Sequence, residues 1–245
     1  MATWMSQTDD PNSAQAHSFR NVQLAEAHRP VHPSRLDFIV SCAAGKRVLD
    51  IGCVNHRTNA FSDADWLHGK IAKAAGYCLG VDVQQEGVKR LQAEGYNVKL
   101  CDITSQPVGE KFDLMICGEV IEHLGNPGQL FCAAKDCLIK GGTFVLTTPN
   151  PYYLNRAVQN LKGRCYDSVD HVSLLFPSGM AEFADRAGFK LKSYFGVEVA
   201  AHPRTLLGKA AFLFRKPLEL FLAPEAFCET MVYVLALCPD NGPPI

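Results

Sequence analysis

The order of segments in this 245-residue chain predicts an α/β fold: a seven-stranded, mostly parallel sheet with helices on both faces and an antiparallel C-terminal strand. Three observations carry that prediction. Short runs rich in Val, Ile and Leu alternate with helical segments of about ten to fifteen residues, as right-handed β-α-β crossovers require. The runs end on polar residues, among them Asp50, Asp82, Asp102 and Glu119, where an open parallel sheet places its ligand crevice. The last two runs, Lys190 to Val199 and Glu229 to Leu237, have no normal crossover between them and suggest an antiparallel pair.

Residues 1–33, rich in Ser, Gln, Asn, Asp and Pro, read as a loose arm with a short helix at Val22 to His28. Residues 34–245 then read as one domain, with substrate-side insertions at about 151–176 and 201–227. Ser34 is a helix cap, Leu36, Ile39 and Val40 form the apolar face, and Gly45 is the stop. The first strand is Arg47 to Gly52. A helix follows, capped by Asp63 or Asp65 and closed by Gly76, and then the strand Tyr77 to Val83. Gln85 to Gly95 is a helix with Val88 and Leu91 inward, Tyr96 to Ile103 a strand, and Phe112 to Val120 another. The helix Pro127 to Gly142 stops at Gly141-Gly142 before the strand Thr143 to Asn150. Beyond a long loop, Pro177 to Phe189 is the last regular helix.

Bulk composition narrows the functional classes. A 47% hydrophobic content is ample for one continuous core. With 24 basic and 25 acidic residues there is no whole-surface attraction for nucleic acid or an anionic membrane, and no nucleic-acid module is visible. The polar N-terminus is not a secretion signal, and no run reaches the length of a membrane span, so a cytoplasmic location is expected. The ten cysteines form no C-x-x-C pair, and Cys53, Cys101 and Cys117 sit in or beside apolar runs as small packing residues.

The strand tips suggest a cofactor. Asp82 stands thirty residues after Gly52, and a carboxylate there can accept from both hydroxyls of a ribose. Asp102 can accept from an adenine amino group. A dinucleotide would need a Gly-rich phosphate loop, but Gly52 is followed by Cys53, Val54, Asn55 and His56. A carboxylate at Asp50 also repels phosphate and attracts an ammonium group. The set suits a nucleoside with a cationic tail, such as S-adenosylmethionine. Asn55 is expected to take the positive φ that the missing glycines would have supplied, and Asn55 or His56 to contact the cofactor through side chains. His56 and His68 read as loop and helix-surface residues, and Trp66 as core.

"VLDIGC", "GVDV", "CDI", "FDLMICGEVIEHL" and "GGTFVLTTPN", in this order and spacing, resemble the class I S-adenosylmethionine-dependent methyltransferases over about Arg47 to Phe195. The resemblance implies a Rossmann-like sheet with Asp50, Gly52, Cys53 and Asn55 around the methionine end. It places Asp82 and Val83 at the ribose, Asp102 and Ile103 beside the adenine, and Cys117, Gly118 and Glu119 beneath the sulfonium.

The reacting side is read from "EVIEH". Glu119, Glu122 and His123 stand at i, i+3 and i+4 and would share one face of a helix start. Two carboxylates crowding an imidazole call for a cation or a proton between them. His171, after the fifth strand, would complete a hard ligand set for Mg²⁺, Mn²⁺, Fe²⁺ or Zn²⁺. The segment resembles the metal-dependent O-methyltransferases of small-RNA terminal ribose and those of the ubiquinone pathway, whose "TPN" and "DH" match Thr148 to Asn150 and Asp170 to His171. Without metal, His171 or His123 is the general base. O-methylation of a small sugar, catechol or polyol is expected. Tyr152, Tyr153, Arg156 and Arg164, and the apolar segment 203–222 with Arg204, Lys209, Arg215 and Lys216, are expected to recognise that acceptor. The second segment could be a lid, a dimer face or a membrane-surface helix. Two other readings stay open: a binding protein without turnover, and a nicotinamide oxidoreductase.

Overall fold

The computed structural model of the chain describes residues 3–55, 66–198, 217–218 and 220–238. His56, the proposed caps Asp63 and Asp65, and Arg204, Lys209, Arg215 and Lys216 lie outside them. Seven strands are present: β1 (Arg47–Ile51), β2 (Tyr77–Asp82), β3 (Val98–Leu100), β4 (Phe112–Gly118), β5 (Leu138–Pro149), β6 (Phe189–Glu198) and β7 (Cys228–Leu237). They form one sheet in the order β3-β2-β1-β4-β5-β7-β6. The first five run parallel, and β7 is antiparallel to both β5 and β6, as the missing crossover predicts.

Seven α-helices accompany them among the described residues: α1 (Ala14–Ala27), α2 (Arg35–Ala43), α3 (Leu67–Ala74), α4 (Gln85–Ala93), α5 (Pro127–Cys137), α6 (Leu154–Leu161) and α7 (Pro177–Ala187). The period-two alternation of the central strands sorts their side chains between two layers. Leu49, Ile51, Met115, Cys117, Phe144 and Leu146 pack with α5 and α7 through Leu130, Phe131, Ala134, Met180 and Ala184. Val48, Leu114, Ile116 and Val145 pack with α2 and α3 through Ile39, Ala43 and Ile71. Burying one such aliphatic or aromatic side chain contributes about 1.5–3 kcal/mol, so these two layers hold the sheet. Asp50 has the parity of Val48, which sends its carboxylate toward α3.

Five local expectations change. The helix at 22–28 starts earlier, at Ala14, because Ser13 accepts from the Ala16 amide as its cap. The polar residues that suggested a loose arm have partners: Arg20 meets Glu182 at 2.5 Å and Asp185 at 3.0 Å on α7. His28 and His32 then bridge Tyr194 and Val197, so the chain lies along the outer edge of β6. The helix after Pro127 ends at Cys137, not at the glycines, because Leu138 already pairs with Phe112 and a bulge with Gly141 at φ 73° absorbs the extra residues. β3 is three residues long, shorter than the run Tyr96 to Ile103. The segment 151–176, read as loop, contains α6, whose start needs no side-chain cap.

The "EVIEH" segment is not a helix start. Glu119 has φ 56°, the only positive φ at a non-glycine among the described residues, and Val120 is at φ −128°. Two non-helical residues break the run, so only a 3-10 turn at Ile121–His123 forms. The helix proper begins at Pro127, behind an Asn126 cap that accepts from Gly128.

Candidate active site

A cleft of about 540 Å³ opens at the carboxyl ends of β1, β2 and β4. Of the residues read from the sequence as cofactor contacts, Asp50, Gly52, Cys53, Asn55, Asp82, Val83, Asp102, Ile103, Gly118 and Glu119 line it. Cys117 does not: its side chain is wholly buried in the layer beneath α5, one residue out of phase with the cleft.

The loop after β1 turns at Gly52, whose φ is 76° and whose place a Cβ would contest with Val120 Cγ2 at 2.4 Å. Asn55 carries no positive φ, contrary to expectation. The bulk of Cys53 and Val54 is accommodated by glycines on the neighbouring strand and helix. A Cβ at Gly87 of α4 would meet Val54 Cγ1 at 2.2 Å, and one at Gly80 of β2 would meet Cys53 Cβ at 2.9 Å and His68 Cε1 at 2.6 Å. Asp82 then fixes the loop. Its Oδ2 accepts from the Val54 amide and its Oδ1 from the Gln84 amide, both at 2.9 Å. A carboxylate has about four acceptor sites, so two remain toward the cleft. Asp102 accepts from the Thr104 amide and hydroxyl and from the Ser105 hydroxyl, and those bonds, led by the Thr104 hydroxyl, hold its carboxyl below the usual range. It is chiefly a turn cap that also faces the cleft.

Two residues at the cleft escaped the sequence reading. His68 is 2% exposed, and its Nδ1 lies 2.8 Å from Asp50 Oδ2, so it is a buried partner and not a helix-surface residue. Its position beside Leu67 and ahead of Ile71 on a short helix gives no sign of that role. Trp66 is buried as expected, edge-on to Tyr96 at 4.9 Å, and it also lines the cleft. Arg35 reaches in from α2, with Nη1 at 3.1 Å from Glu119 Oε1 and 3.3 Å from Thr147 Oγ1. It is the only Lys or Arg among the described lining residues. Eighty-four positions separate it from Glu119, and no local pattern announces such a pair.

Of the four expected metal ligands the structure assembles three. Glu122, His123 and His171 have donor atoms within 4.8 Å of one another. Glu119 stands outside, because its backbone turns it toward Arg35. His171 is delivered by the chain segment whose Val172 and Ser173 amides donate to the Glu122 carbonyl. The two imidazoles meet edge to face at 4.7 Å, and His123 Nδ1 lies 3.1 Å from Asp170. Glu122 is 1% exposed; its Oε2 accepts from Thr148 at 3.1 Å. Glu122 Oε1 and His171 Nδ1 are buried without a hydrogen-bond partner. Burial first, and the Glu119 charge second, push the Glu122 carboxyl up to about 8. Thr148 thus serves the cluster, whereas Asn150 ties β5 to the carbonyls of Glu225 and Cys228 at 2.7 Å.

No helix of the described residues is long and apolar enough to cross a membrane. Within segment 203–222, the described Leu218, Leu220, Phe221 and Leu222 are exposed.

Comparison with known proteins places these features in a family context. The Methyltransferase domain family matches residues 11–194. The ubiquinone biosynthesis O-methyltransferase of Aromatoleum aromaticum is 28% identical over 189 residues, which are 69% of this chain and 76% of that one. Its counterpart from Aeromonas salmonicida is 26% identical over 198 residues, covering 70% and 77%. The fold is shared with magnesium protoporphyrin IX methyltransferase from Synechocystis PCC 6803, solved with bound S-adenosylhomocysteine. The TM-score is 0.56 at 14% identity, covering 94% of this chain and 90% of that one.

Proposed function

The chain belongs to the methyltransferase-domain family and is an S-adenosylmethionine-dependent methyltransferase, and we propose that it methylates a hydroxyl oxygen of a small polar acceptor, assisted by a divalent cation. Relatives that are O-methyltransferases support the oxygen acceptor. The observation that carries the cation is the convergence of Glu122, His123 and His171 on a buried carboxylate oxygen and an imidazole nitrogen that have no other partner. Mg²⁺, Mn²⁺, Fe²⁺ and Zn²⁺ all accept such a set.

The cleft fits the cofactor in donor chemistry as well as size. Arg35 is the cation for a carboxylate, and Asp50, oriented by His68, is an acceptor for an ammonium group. The two remaining sites of Asp82 take ribose hydroxyls, and Cys101 and Ile103 flank the base while Asp102 faces its amino group. When bound, S-adenosylmethionine supplies a methyl group on a positively charged sulfur. The chain's own task is alignment and removal of the acceptor proton. A cation held by Glu122, His123 and His171 would lower the pKa of an acceptor hydroxyl. Without one, His171 or His123 is the base; Asp170 beside His123 Nδ1 would orient that imidazole and leave its Nε2 as acceptor.

Methyl transfer to catechols and sugars, measured with and without EDTA, tests this reading. Activity should vanish in EDTA and return with Mn²⁺ or Mg²⁺, while S-adenosylhomocysteine binding persists. Full activity in EDTA, with only His171→Ala inactive, would discard the cation and leave a histidine base.

A further inference from the structure

Across the side chain of Glu119 from the cofactor cleft lies a second recess, of about 210 Å³. Its walls come from the end of β5, from Arg156 on α6 with Tyr166 and Asp167 beyond it, and from Glu229 on β7. His171 faces it as well. Ligand pockets commonly measure about 300–1,000 Å³, so this one takes a single ring and leaves the rest of a ligand outside.

The charges lining the recess are unevenly matched. Arg156 is 3% exposed; its Nε donates to Asp167 Oδ1 at 2.7 Å and its Nη1 to the Asn150 carbonyl. The charges of Arg156 and Asp167 therefore balance each other. Glu119 is balanced by Arg35. Glu229 has no cationic partner among the described residues, and its Oε1 accepts from the Tyr166 hydroxyl at 2.9 Å. Burial, reinforced by Glu229, pushes that phenol up, so it stays a donor. An anionic ring entering here would meet an uncompensated carboxylate, and the one Lys or Arg among the described lining residues, Arg156, is already charge-balanced by Asp167. A ring of hydroxyls would find carboxylate acceptors at Glu229 and Asp167.

We propose that this recess receives the hydroxyl-bearing ring of the methyl acceptor as a neutral or cationic vicinal diol, and that Glu229 excludes rings carrying a carboxylate or phosphate. The assignment rests on the methyltransferase reading of the adjoining cleft. Isothermal titration of the full chain, with and without saturating S-adenosylhomocysteine, tests it with two matched pairs. These are catechol against 3,4-dihydroxybenzoate, and myo-inositol against its monophosphate; the pairs separate aromatic from sugar-like diols. The neutral member of at least one pair should bind more tightly, on the order of tenfold. Glu229→Gln should erase that preference and Glu229→Lys invert it, with S-adenosylhomocysteine affinity unchanged in both. Equal binding of the acid and its neutral counterpart, a preference that survives Glu229→Gln, or no binding by either neutral probe would overturn it. Loss of S-adenosylhomocysteine binding with the diol preference intact would instead refute the cofactor cleft alone.

Discussion

Asp82 fixes the loop after Gly52 by accepting from Val54 and Gln84 and also lines the cleft, where we propose that it accepts from the ribose. Asp82→Ala should therefore weaken S-adenosylhomocysteine by about ten- to a hundredfold, the worth of a charged acceptor of about 1.5–3 kcal/mol. Titration of the ligand checks this, and an unchanged affinity would remove Asp82 from the site. Glu122 gives a pH prediction. Its carboxyl has a folded value of about 8 against an ordinary 4.5. Between those values the folded chain keeps a proton that the unfolded chain has released. Stability in chelator must then fall as pH rises through that window and level off above it. Melting curves from about pH 5 to 9 should show the slope in the wild type and not in Glu122→Gln; the same slope in both would locate it elsewhere. The sequence made Asp50, Gly52 and Asp82 legible because strand tips announce themselves by apolar runs ending in a polar residue. His68 and Arg35 were illegible, since each acquires its role from a partner brought to it by tertiary packing.

The elements around the cofactor loop are complementary in bulk. The loop after β1 carries Cys53 and Val54 behind Gly52 and faces glycines at positions 80 and 87 of the neighbouring strand and helix. Gly87→Ala should destabilise the chain by about 1–3 kcal/mol through overpacking, and Val54→Ala in the same chain should recover much of that loss. A double-mutant cycle on denaturant midpoints measures the coupling. Strict additivity would show that α4 and the loop do not share this contact. The same reasoning marks the limit of reading elements from spacing. Strand and helix order followed from periodicity, yet the i, i+3, i+4 argument for Glu119, Glu122 and His123 assumed a helix. The positive φ of Glu119 denies that helix and turns its side chain toward Arg35, and a single backbone torsion leaves no periodic trace in the sequence.

At the scale of the molecule, the N-terminal segment closes the sheet. The Arg29 amide donates to the Tyr194 carbonyl and the His32 amide to the Gly196 carbonyl, both at 3.0 Å, so the edge of β6 does not present unpaired backbone there. That pairing also delivers α2, and with it Arg35, to the cleft. A chain starting at residue 34 should melt at lower temperature, self-associate through the bared edge, and bind S-adenosylhomocysteine more weakly. Calorimetry with light scattering would show this; an unchanged melting point and a monomeric state would refute it. Polar composition concealed the arm's role because few of its residues, such as Ala16, Leu24 and Ala27, pack as apolar groups, and the rest of its contacts are ion pairs and backbone bonds. The strand order has one more consequence, for biosynthesis. β7 lies between β5 and β6, yet it is made after both. Until residues 228–237 leave the ribosome, β5 ends the growing sheet with a bare edge and β6 has no strand beside it. β7 must therefore reach β5 and β6 after both are made, alone or already paired with β6, and a nascent chain lacking it exposes unpaired strand edges that chaperones protect.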